Sequence, residues 1–433
     1  MTWTDGYIDD VRYPAFFYKE MQPLWLATVA GFLGFTAPDP QGSFTLCELG
    51  CGLGVNLLVS AACHPQARFV GIDFNGEHLA FARTAAERCG LDNVEFIQAD
   101  FATFARTNVR TFDFVTSHGV WSWIAPEYRA ALLDGASRAL NPGGLFHLHY
   151  MCHPGSTEML PLQHLLNLCA HHMPGPSPRR AQTGMMLLQQ LVQGGLYADR
   201  PAMLAHVANL ARREPADLAH EFLTDHWTPQ HSVDVHQQVA QAGLTFLGSA
   251  DVFNNLDVSL SVPGGLQDLV RRTGAPALAE TLKDMARGAH QRMDLFQRDA
   301  ERLGAKPLLD RLRALRFRLL PGAPTQGPVT FTTPIGPVIG PEAVFTPLLE
   351  CLSSGAASGE ELLALPVFAG DAGMLLQSLQ LLMMQGLAHP VVFETPPAVS
   401  AAIQTRAAAL SQWFGDNGIA LAVLSDCAVA VTR

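Results

Sequence analysis

The sequence lacks the features that mark secreted, membrane-spanning and nucleic-acid-binding proteins. No uninterrupted apolar stretch of about 18 residues appears, which argues against a membrane span. The first residues show no basic segment followed by an apolar one, so secretion is not expected. There is no run of lysine or arginine and the formal net charge is −11, so nucleic acid is not an expected partner, although a local basic patch can lie within an acidic total.

Cysteine pairs and metal-ligand patterns are also missing. The 8 cysteines are scattered without a Cys-x-x-Cys pair, which favours reduced thiols and a cytoplasmic location over a disulfide framework. The 16 histidines form no His-x-x-x-His pattern with an acid, so no metal site is predicted. Charged residues make up 15% of the 433 residues and apolar residues 48%, so large cores can form in two or three domains.

What the chain does have is a glycine loop behind a carboxylate. Residues 48–54 read Glu-Leu-Gly-Cys-Gly-Leu-Gly and follow residues 44–47, which look like the end of a buried strand. Glycines at every second position allow positive φ angles and let a ligand approach without meeting a Cβ. Such a loop also occurs as a plain strand-to-helix connection, so the segments that follow decide its meaning.

Those segments alternate between strand and helix patterns. Strands are predicted at residues 68–73, 94–99, 112–117 and 144–150, the last after the turn Asn141-Pro142-Gly143-Gly144, and helices at 77–89 and 126–140. Asp73 ends the second strand, where an acid can accept hydrogen bonds from ribose hydroxyls, and Asp100-Phe101 follow the third, placed to bind and cover an adenine. This spacing predicts a parallel, doubly wound sheet with a nucleotide-like cofactor at the carboxyl ends of its strands.

Together, these motifs resemble a class I S-adenosylmethionine-dependent methyltransferase over about the first 150 residues. Two further stretches resemble bacterial methyltransferases that carry a methyltransferase regulatory domain and include protein-lysine methyltransferases: residues 118–127 with 150–155, and residues 220–227. Residues 13–16 and Pro23 fit the same family. Where that family has Tyr-Asn before Pro-Gly, this chain has Tyr150-Met151-Cys152-His153-Pro154-Gly155. That departure bears on the chemistry of the acceptor side.

The resemblance implies a cofactor and a set of residues that hold it. The cofactor is S-adenosyl-L-methionine, with S-adenosyl-L-homocysteine as the product. The implied cofactor-binding residues are Glu48, Gly50, Cys51, Gly52, Gly54, Asp73, Phe74, Asp100, Phe101, Ser117 and His118. The implied fold is α/β, a Rossmann-like, doubly wound, mostly parallel seven-stranded sheet with an added helical subdomain and a small winged-helix-like C-terminal domain.

Changes of composition divide the chain further. The expected domains are a cofactor-binding domain at 1–155 with 221–255 as a candidate to complete its sheet, an inserted helical subdomain at 156–220, a helical regulatory region at 256–320, a linker at 321–341 and a winged-helix-like domain at 342–433, with helices at 343–352, 359–365 and 371–385 and a strand at 391–393. Aromatic residues near the N-terminus are read either as a cover over the cofactor or as packing on the sheet.

Candidate catalytic residues lie at the ends of the fourth and fifth strands. An amine acceptor must lose a proton before transfer, so His118, His149 and Tyr150 are the candidate catalytic residues, each with a structural role as the alternative. Trp121, Trp123 and Tyr13 are the candidate substrate-binding residues, because aromatic faces can hold a cationic side chain, and a core role is the alternative.

Three functions are left open at this point. The first is methyl transfer to a protein or peptide, with lysine nitrogen favoured by the resemblance. The second is transfer to a small metabolite, which a narrow enclosed pocket would favour over an open groove. The third is a cofactor-binding regulatory protein with little turnover. A nicotinamide dehydrogenase is disfavoured because the loop lacks Gly-x-Gly-x-x-Gly spacing. A homodimer is left open.

Overall fold

A seven-stranded sheet is the centre of the computed structural model, which describes residues 6–392 and 397–432. Its strands in chain order are β1 (Thr45–Leu49), β2 (Arg68–Asp73), β3 (Val94–Gln98), β4 (Phe112–Ser117), β5 (Leu140–Met151), β6 (Leu244–Ser249) and β7 (Gln291–Arg298). Across the sheet their order is β3-β2-β1-β4-β5-β7-β6. The first five strands are parallel, and β7 is antiparallel to both β5 and β6. The predicted doubly wound, mostly parallel sheet is confirmed.

Helices cover both faces of this sheet. They are α1 (Pro23–Phe32), α2 (Val55–Cys63), α3 (Gly76–Arg88), α4 (Phe101–Thr107) and α5 (Pro126–Ala139). Side chains of a strand point alternately to the two faces. Accordingly, Leu46 and Phe114 are buried in one apolar layer with α2, and their neighbours Cys47 and Val115 are buried in the other with α5. Each face therefore has its own core, and the ligand-facing edge is left to the loops.

The start of β5 differs from the prediction. The strand begins at Leu140, so the predicted turn at Asn141–Gly144 lies within its first residues. The pairing of β5 with β4 shifts register between Phe112 and Phe114, and Gly143 has φ +77°. The turn chemistry of these residues therefore produces an irregularity in a strand instead of a loop.

Four helices form the insertion after β5. They are α6 (Leu160–His172), α7 (Ser177–Gln193), α8 (Pro201–Leu210) and α9 (Pro215–Phe222). Next, α10 (Ser232–Gln241) precedes β6, and α11 (Val258–Ser261), α12 (Gln267–Arg272) and α13 (Pro276–Arg287) lie between β6 and β7. Leu166, Met185 and Leu218 share a buried apolar cluster with Trp123 and Met151 from the sheet domain. The four helices are thus packed against the edge of the sheet where ligands are expected.

The described C-terminal part contains five helices and several small sheets. Its elements are α14 (Ala305–Ala314), β8 (Arg316–Leu319), β9 (Val329–Thr333), β10 (Gly336–Gly340), α15 (Glu342–Ser353), β11 (Ala357–Ser358), α16 (Gly359–Leu363), α17 (Ala372–Met384), β12 (Ala388–Pro390), α18 (Pro397–Asp416), β13 (Leu421–Leu424) and β14 (Val429–Thr432). β11, β8 and β12 form a three-stranded sheet. A strand was predicted at 391–393; β12 lies just before it, and Phe393 is outside the described residues.

Two segments contradict the predictions. Residues 291–298, expected within a helical region, form β7, and the expected linker at 321–341 contains the β9–β10 hairpin. The hairpin is packed on α15 through Phe331 and Phe345, whose ring centroids are 5.1 Å apart. The sequence around β7 misleads because Arg292 and Asp294 are charged, although both side chains are buried.

These charged residues of β7 form a buried network. Arg292 donates to Asp294 at 3.0 Å, to Asp284 at 2.6 Å and to Glu280 at 3.1 Å. Asp294 also accepts a hydrogen bond from Tyr150 at 2.5 Å and lies 2.7 Å from the ring of His236. Burial alone would raise the pKa of Asp294, but Arg292 holds it below its usual value. Since β7 thereby contacts β5, α10 and α13, the network joins the sheet to the chain that follows the insertion.

No helix among the described residues has the length and apolar character needed to cross a membrane.

We expect Arg292→Leu to lower the free energy of unfolding by about 3–5 kcal/mol, because it leaves buried carboxylates without their counter-charge. Urea unfolding followed by circular dichroism measures this change. Arg271→Leu is the matched control: Arg271 is 46% exposed and lies 3.7 Å from Asp257, and its removal should cost less than about 1 kcal/mol. Equal stabilities of the two variants would contradict a central role for the network.

Candidate active site

A cleft lies at the carboxyl ends of β1, β2 and β4. The glycine loop, residues 50–54, forms its floor. The sequence-predicted residues that line it are Tyr13, Glu48, Gly50, Cys51, Gly52, Asp73, Phe74, Asp100, Phe101, His118 and Trp123. We call this space the glycine-loop cleft. The position agrees with the rule that ligands of open α/β sheets bind outside the carboxyl ends of the strands.

The glycines of the loop have different roles. All three have positive φ, at +80° for Gly50, +50° for Gly52 and +69° for Gly54. A Cβ at Gly50 would lie 2.4 Å from Val120, and one at Gly54 would lie 2.6 Å from Phe96, so both positions are closed by packing. A Cβ at Gly52 would meet nothing within 4 Å and would point into ligand space. Gly54 is not among the residues that line the cleft, and its direct contact with the cofactor stays a prediction.

Asp73 holds the loop in this shape. Its Oδ2 accepts a hydrogen bond from the backbone N–H of Gly52 at 2.8 Å, and its Oδ1 accepts one from Asn75 at 2.8 Å. Burial raises the pKa of Asp73, while these backbone donors oppose the rise. The sequence predicted a carboxylate for ribose hydroxyls, and the structure gives it a second role as the support of the glycine loop.

Glu48 is a buried carboxylate with an unsatisfied atom. Its side chain is 7% exposed, and Oε2 has no hydrogen-bond partner. Burial and the neighbouring Asp73 raise its pKa above the usual value. A buried acceptor without a donor is unfavourable, so the site is complementary to a ligand that brings a cation or an N–H or O–H donor.

The third strand contributes the far wall of the cleft. Asp100 caps α4, with Oδ1 accepting from the N–H of Thr103 at 2.6 Å. Phe101 follows it, and Phe74 packs edge-on against Tyr7 with ring centroids 5.8 Å apart. These residues supply aromatic surface around a carboxylate. Ser117 is not among the lining residues: its hydroxyl donates to the carbonyl of Leu49 at 3.0 Å and ties β4 to β1, and its expected cofactor contact stays a prediction.

A stack of rings borders the cleft. The ring centroid of His118 lies 3.8 Å from that of Tyr18, 4.0 Å from that of His149 and 5.7 Å from that of His147. His149 Nδ1 accepts from the N–H of Gly119 at 3.1 Å, which leaves its Nε2–H to donate to Gln291. Burial lowers the pKa of His149 to about 4 and that of His118 well below its usual value, so the stack is uncharged near neutral pH.

Tyr150 and Trp121 are placed elsewhere. Tyr150 is next to His149 on β5, so its side chain points to the opposite face, where it is completely buried against Asp294. Trp121 is 1% exposed and donates from its indole N–H to Gln230 at 2.5 Å. Neither lines a cavity, which corrects the expected catalytic role of Tyr150 and the expected substrate contact of Trp121.

A second cavity of about 890 Å³ adjoins the glycine-loop cleft. It extends between the inserted helices α8 and α9, the residues that follow β5 and the start of β7. The two spaces share the lining residues Tyr7, Tyr13, Phe16, Tyr18, His118, Gly119 and Trp123. The N-terminal aromatic residues therefore form a wall common to both, and Tyr13 and Trp123 lie where a second substrate would meet the cofactor.

Sequence reasoning did not single out the charged residues of the second cavity. Asp217 and Glu221 lie in α9, and Arg213 lies just before it. All three line the cavity together with His220. Asp217 and Glu221 are four residues apart and so share one face of the helix. Among these charged residues, only Glu221 lies within the stretch 220–227 that the family resemblance had marked; Arg213 and Asp217 precede it.

Comparison with known proteins agrees with this geometry. Residues 46–144 match the methyltransferase domain family, and residues 214–298 match the predicted methyltransferase regulatory domain family. The chain is an S-adenosylmethionine-dependent methyltransferase. The methyltransferase is 37% identical over 101 residues to the trans-aconitate 2-methyltransferase of Azoarcus sp., over 23% of this chain and 36% of that one. It is 29% identical over 399 residues to uncharacterized protein sll1526 of Synechocystis sp., over 91% of this chain and 78% of that one.

In three dimensions, the methyltransferase is similar to PKMT2 from Rickettsia typhi in complex with AdoHcy. The TM-score is 0.69 at 19% identity, over 89% of this chain and 78% of that chain. At this identity the likeness shows a shared class I fold. S-adenosylmethionine fits the glycine-loop cleft of the methyltransferase: it brings cationic and hydroxyl groups to the unsatisfied Glu48, and its bulk needs the space left open at Gly52. Within residues 6–392 and 397–432, no group of three His, Cys, Asp or Glu could hold a metal ion.

We expect Gly52→Val to abolish binding of S-adenosylhomocysteine, because the branched side chain would occupy the space of the ligand. Titration calorimetry of the folded variant measures this loss. Gly90→Val is the matched control, since Gly90 also has positive φ, at +65°, and open space at its Cβ, but lies outside the cleft. If the affinities of the two variants are equal, the loop does not bind the cofactor.

The buried His147 predicts a dependence of stability on pH. Both of its ring nitrogens lack partners, and burial lowers its pKa to about 3 from 6.5. The folded state thus binds fewer protons than the unfolded state in this range, and stability falls as the pH drops below 6.5 towards 3. Between pH 7 and pH 5, the unfolding free energy of His147→Phe should fall by about 2 kcal/mol less than that of the parent.

Urea unfolding at the two pH values tests this expectation. His172→Phe, at an exposed position of α6, is the control for the loss of one imidazole. An acid sensitivity of His147→Phe equal to that of the parent would show that His147 is not buried in its neutral form.

Proposed function

We propose that the methyltransferase transfers the methyl group to a protein or peptide acceptor, at the nitrogen of a lysine side chain. The observation that carries this proposal is the second cavity, which adjoins the glycine-loop cleft and shares a wall with it, so that an acceptor side chain can reach the cofactor. The cofactor is assigned to the cleft and the acceptor to the cavity. The family resemblance and the fold shared with PKMT2 support the same acceptor class.

Four groups of residues are proposed to hold the cofactor. Gly50, Cys51 and Gly52 let the cofactor approach the backbone of the loop closely. Asp73 maintains the shape of the loop and offers its remaining lone pairs to the ribose of the cofactor. Glu48 supplies an acceptor that has no protein donor. On the far wall, Phe74, Asp100 and Phe101 offer aromatic surface and a carboxylate to the base. These are the sequence-predicted residues that the structure brings together.

The reaction needs positioning more than it needs a protein nucleophile. Bound S-adenosylmethionine would supply an activated methyl on its sulfonium. After the ammonium of the acceptor has given one proton to water in the second cavity, the nitrogen lone pair would form the new bond to carbon as the carbon–sulfur bond breaks, with S-adenosylhomocysteine as the leaving group. The protein contributes by holding the nitrogen in line and by excluding water. Tyr13, Tyr18 and Trp123 lie at the junction of the two spaces and are proposed to form this channel.

His118 and His149 are proposed to act differently in the junction. His118 lines both spaces, is uncharged, and has an Nδ1 without a partner, so it can accept a hydrogen bond from the acceptor N–H. Both ring nitrogens of His149 are occupied by Gly119 and Gln291. His149 is therefore proposed as a positioning residue that fixes the loop after β4.

A small-metabolite acceptor is the less favoured alternative. That alternative is expected with a narrow enclosed pocket, whereas the second cavity is bordered by separate segments of the chain, including α8, α9 and the start of β7. Its volume of about 890 Å³ lies within the roughly 300–1,000 Å³ of ordinary small-molecule sites, so size does not separate the two acceptor classes. The family resemblance favours the polypeptide.

The test is methylation of synthetic peptides by the full chain with isotope-labelled S-adenosylmethionine. Each peptide is offered with lysine, with acetyl-lysine and with arginine at one position, and amino acids and small carboxylic acids are offered separately. Mass spectrometry should find the label on the lysine ε-nitrogen. The Gly52→Val variant provides the background. Labelling of free metabolites in preference to every lysine peptide would overturn the proposal.

A further inference from the structure

The second cavity has one carboxylate that its own residues do not neutralise. Arg213 forms a two-point ion pair with Asp217, at 2.5 Å and 2.7 Å. Its distance to Glu221 is 3.8 Å, too long for a hydrogen bond. Since one guanidinium already matches one carboxylate, Glu221 leaves a surplus negative charge on this wall.

Other ionisable groups that line the cavity do not cancel this charge. Glu158 is paired with Arg200 at 2.6 Å. Burial is the first cause that lowers the pKa of each lining histidine below its usual value, so these imidazoles are uncharged near neutral pH; they are His118, His149, His206, His220 and His290. The surplus therefore belongs to Glu221.

The side chain of Glu221 is held but not enclosed. Its Oε1 accepts a long hydrogen bond of 3.4 Å from the indole of Trp227, and the indole of Trp123 donates to its backbone carbonyl at 3.3 Å. The carboxylate is 24% exposed, and Glu221 lines the cavity, so a ligand can reach it. Burial raises its pKa, and Arg213 opposes that rise. The protein thus keeps a carboxylate in a partly dehydrated place with only weak partners.

A second observation on the same wall points to a donor ligand. His220 is 3% exposed and its Nε2 lies 3.0 Å from the carbonyl of Val11, so Nε2 carries the proton and Nδ1 is an acceptor. That Nδ1 has no hydrogen-bond partner. The ring of Tyr13 lies edge-on to His220 with centroids 5.0 Å apart, and the ring of Tyr7 is 5.8 Å away. Negative charge, a free acceptor and aromatic faces are together the surroundings that an ammonium group prefers.

We infer that Glu221 is the residue that selects a cationic amine as the acceptor, by pairing with its ammonium group in the second cavity while Asp217 keeps Arg213 from taking that place. This inference rests on the proposed function and names the charge of the group that the site recognises. It assigns Glu221 to specificity, and methyl transfer itself remains with the geometry of the junction.

The experiment compares two probes of the same shape, butylammonium and 1-butanol. Their affinities are measured by nuclear magnetic resonance titration of the full chain saturated with S-adenosylhomocysteine. The parent protein should bind butylammonium at least about ten-fold more tightly than 1-butanol, because a charge-assisted hydrogen bond is stronger than a neutral one. Glu221→Gln should remove this preference and leave the affinity for S-adenosylhomocysteine unchanged.

Two further variants separate recognition from folding. Asp217→Asn frees Arg213 to pair with Glu221, so it should also reduce the preference without touching Glu221 itself. Glu214→Gln is the matched control: it removes the same charge at an exposed position just before α9 and should keep the parent's preference. Retention of the preference in Glu221→Gln, or its absence in the parent, would overturn the inference.

Failure here and failure of the proposed function have different signatures. If Glu221→Gln methylates lysine peptides with the same KM as the parent, the lysine acceptor stands and the role of Glu221 is wrong. If butylammonium binding depends on Glu221 but no lysine peptide is methylated, the cation site stands and the acceptor is another amine. A rise in KM with little change in kcat is the result expected for a residue that selects the acceptor.

Discussion

The ion pairs of Arg292 hold together segments that are far apart in the sequence. Its guanidinium joins Asp294 of β7 to Asp284 and Glu280 of α13, and Tyr150 of β5 completes the group. Because charges without partners are expensive to bury, β7 keeps its place between β5 and β6 only while this group is complete. The start of β7 then borders the second cavity through Gln291 and Met293. The shape of the acceptor side thus depends on electrostatics on the other face of the sheet.

The two-residue period of β5 points neighbouring side chains to opposite faces of the sheet. His147 and His149 belong to the ring stack on one face, whereas Tyr150, the next residue along the strand, points to the other face and joins the Arg292 network. One strand therefore serves both the site and the scaffold, and neighbouring residues have unrelated roles. The same alternation applies to β7. Gln291, which pairs with Met151 across the sheet, forms a hydrogen bond with His149, whereas the side chain of the next residue, Arg292, is buried on the other face.

Much of the cofactor half could be predicted from the sequence because its signals are local. The glycine loop, the acids that end the strands and the βαβ spacing each arise from a few consecutive residues. Other features depend on contacts made across the chain. Tyr150 and Trp121 were expected in the site because they lie near the ends of β5 and β4, but both side chains are buried in the core. β7 was missed because Arg292 and Asp294 suggest an exposed helix, and only their partners reveal a buried strand.

The acceptor half was the harder part for the same reason. Glu221 and Asp217 are ordinary helix acids in the sequence, and nothing local says that their helix faces a cavity. Their surroundings are set by the N-terminal segment, which is attached to the inserted helices through Asp10 and the N–H of Ser177 at 2.8 Å and through Val11 and His220. A pattern that needs three distant segments cannot be read from any one of them.

The wall that the two cavities share has a thermodynamic consequence. Tyr7, Tyr13 and Tyr18 line both spaces, so a single wall contacts whatever occupies either one. Where a ligand in one space changes the affinity for a ligand in the other, the second ligand must change the affinity for the first by the same factor. The shared wall therefore makes any coupling between the two spaces reciprocal in binding free energy.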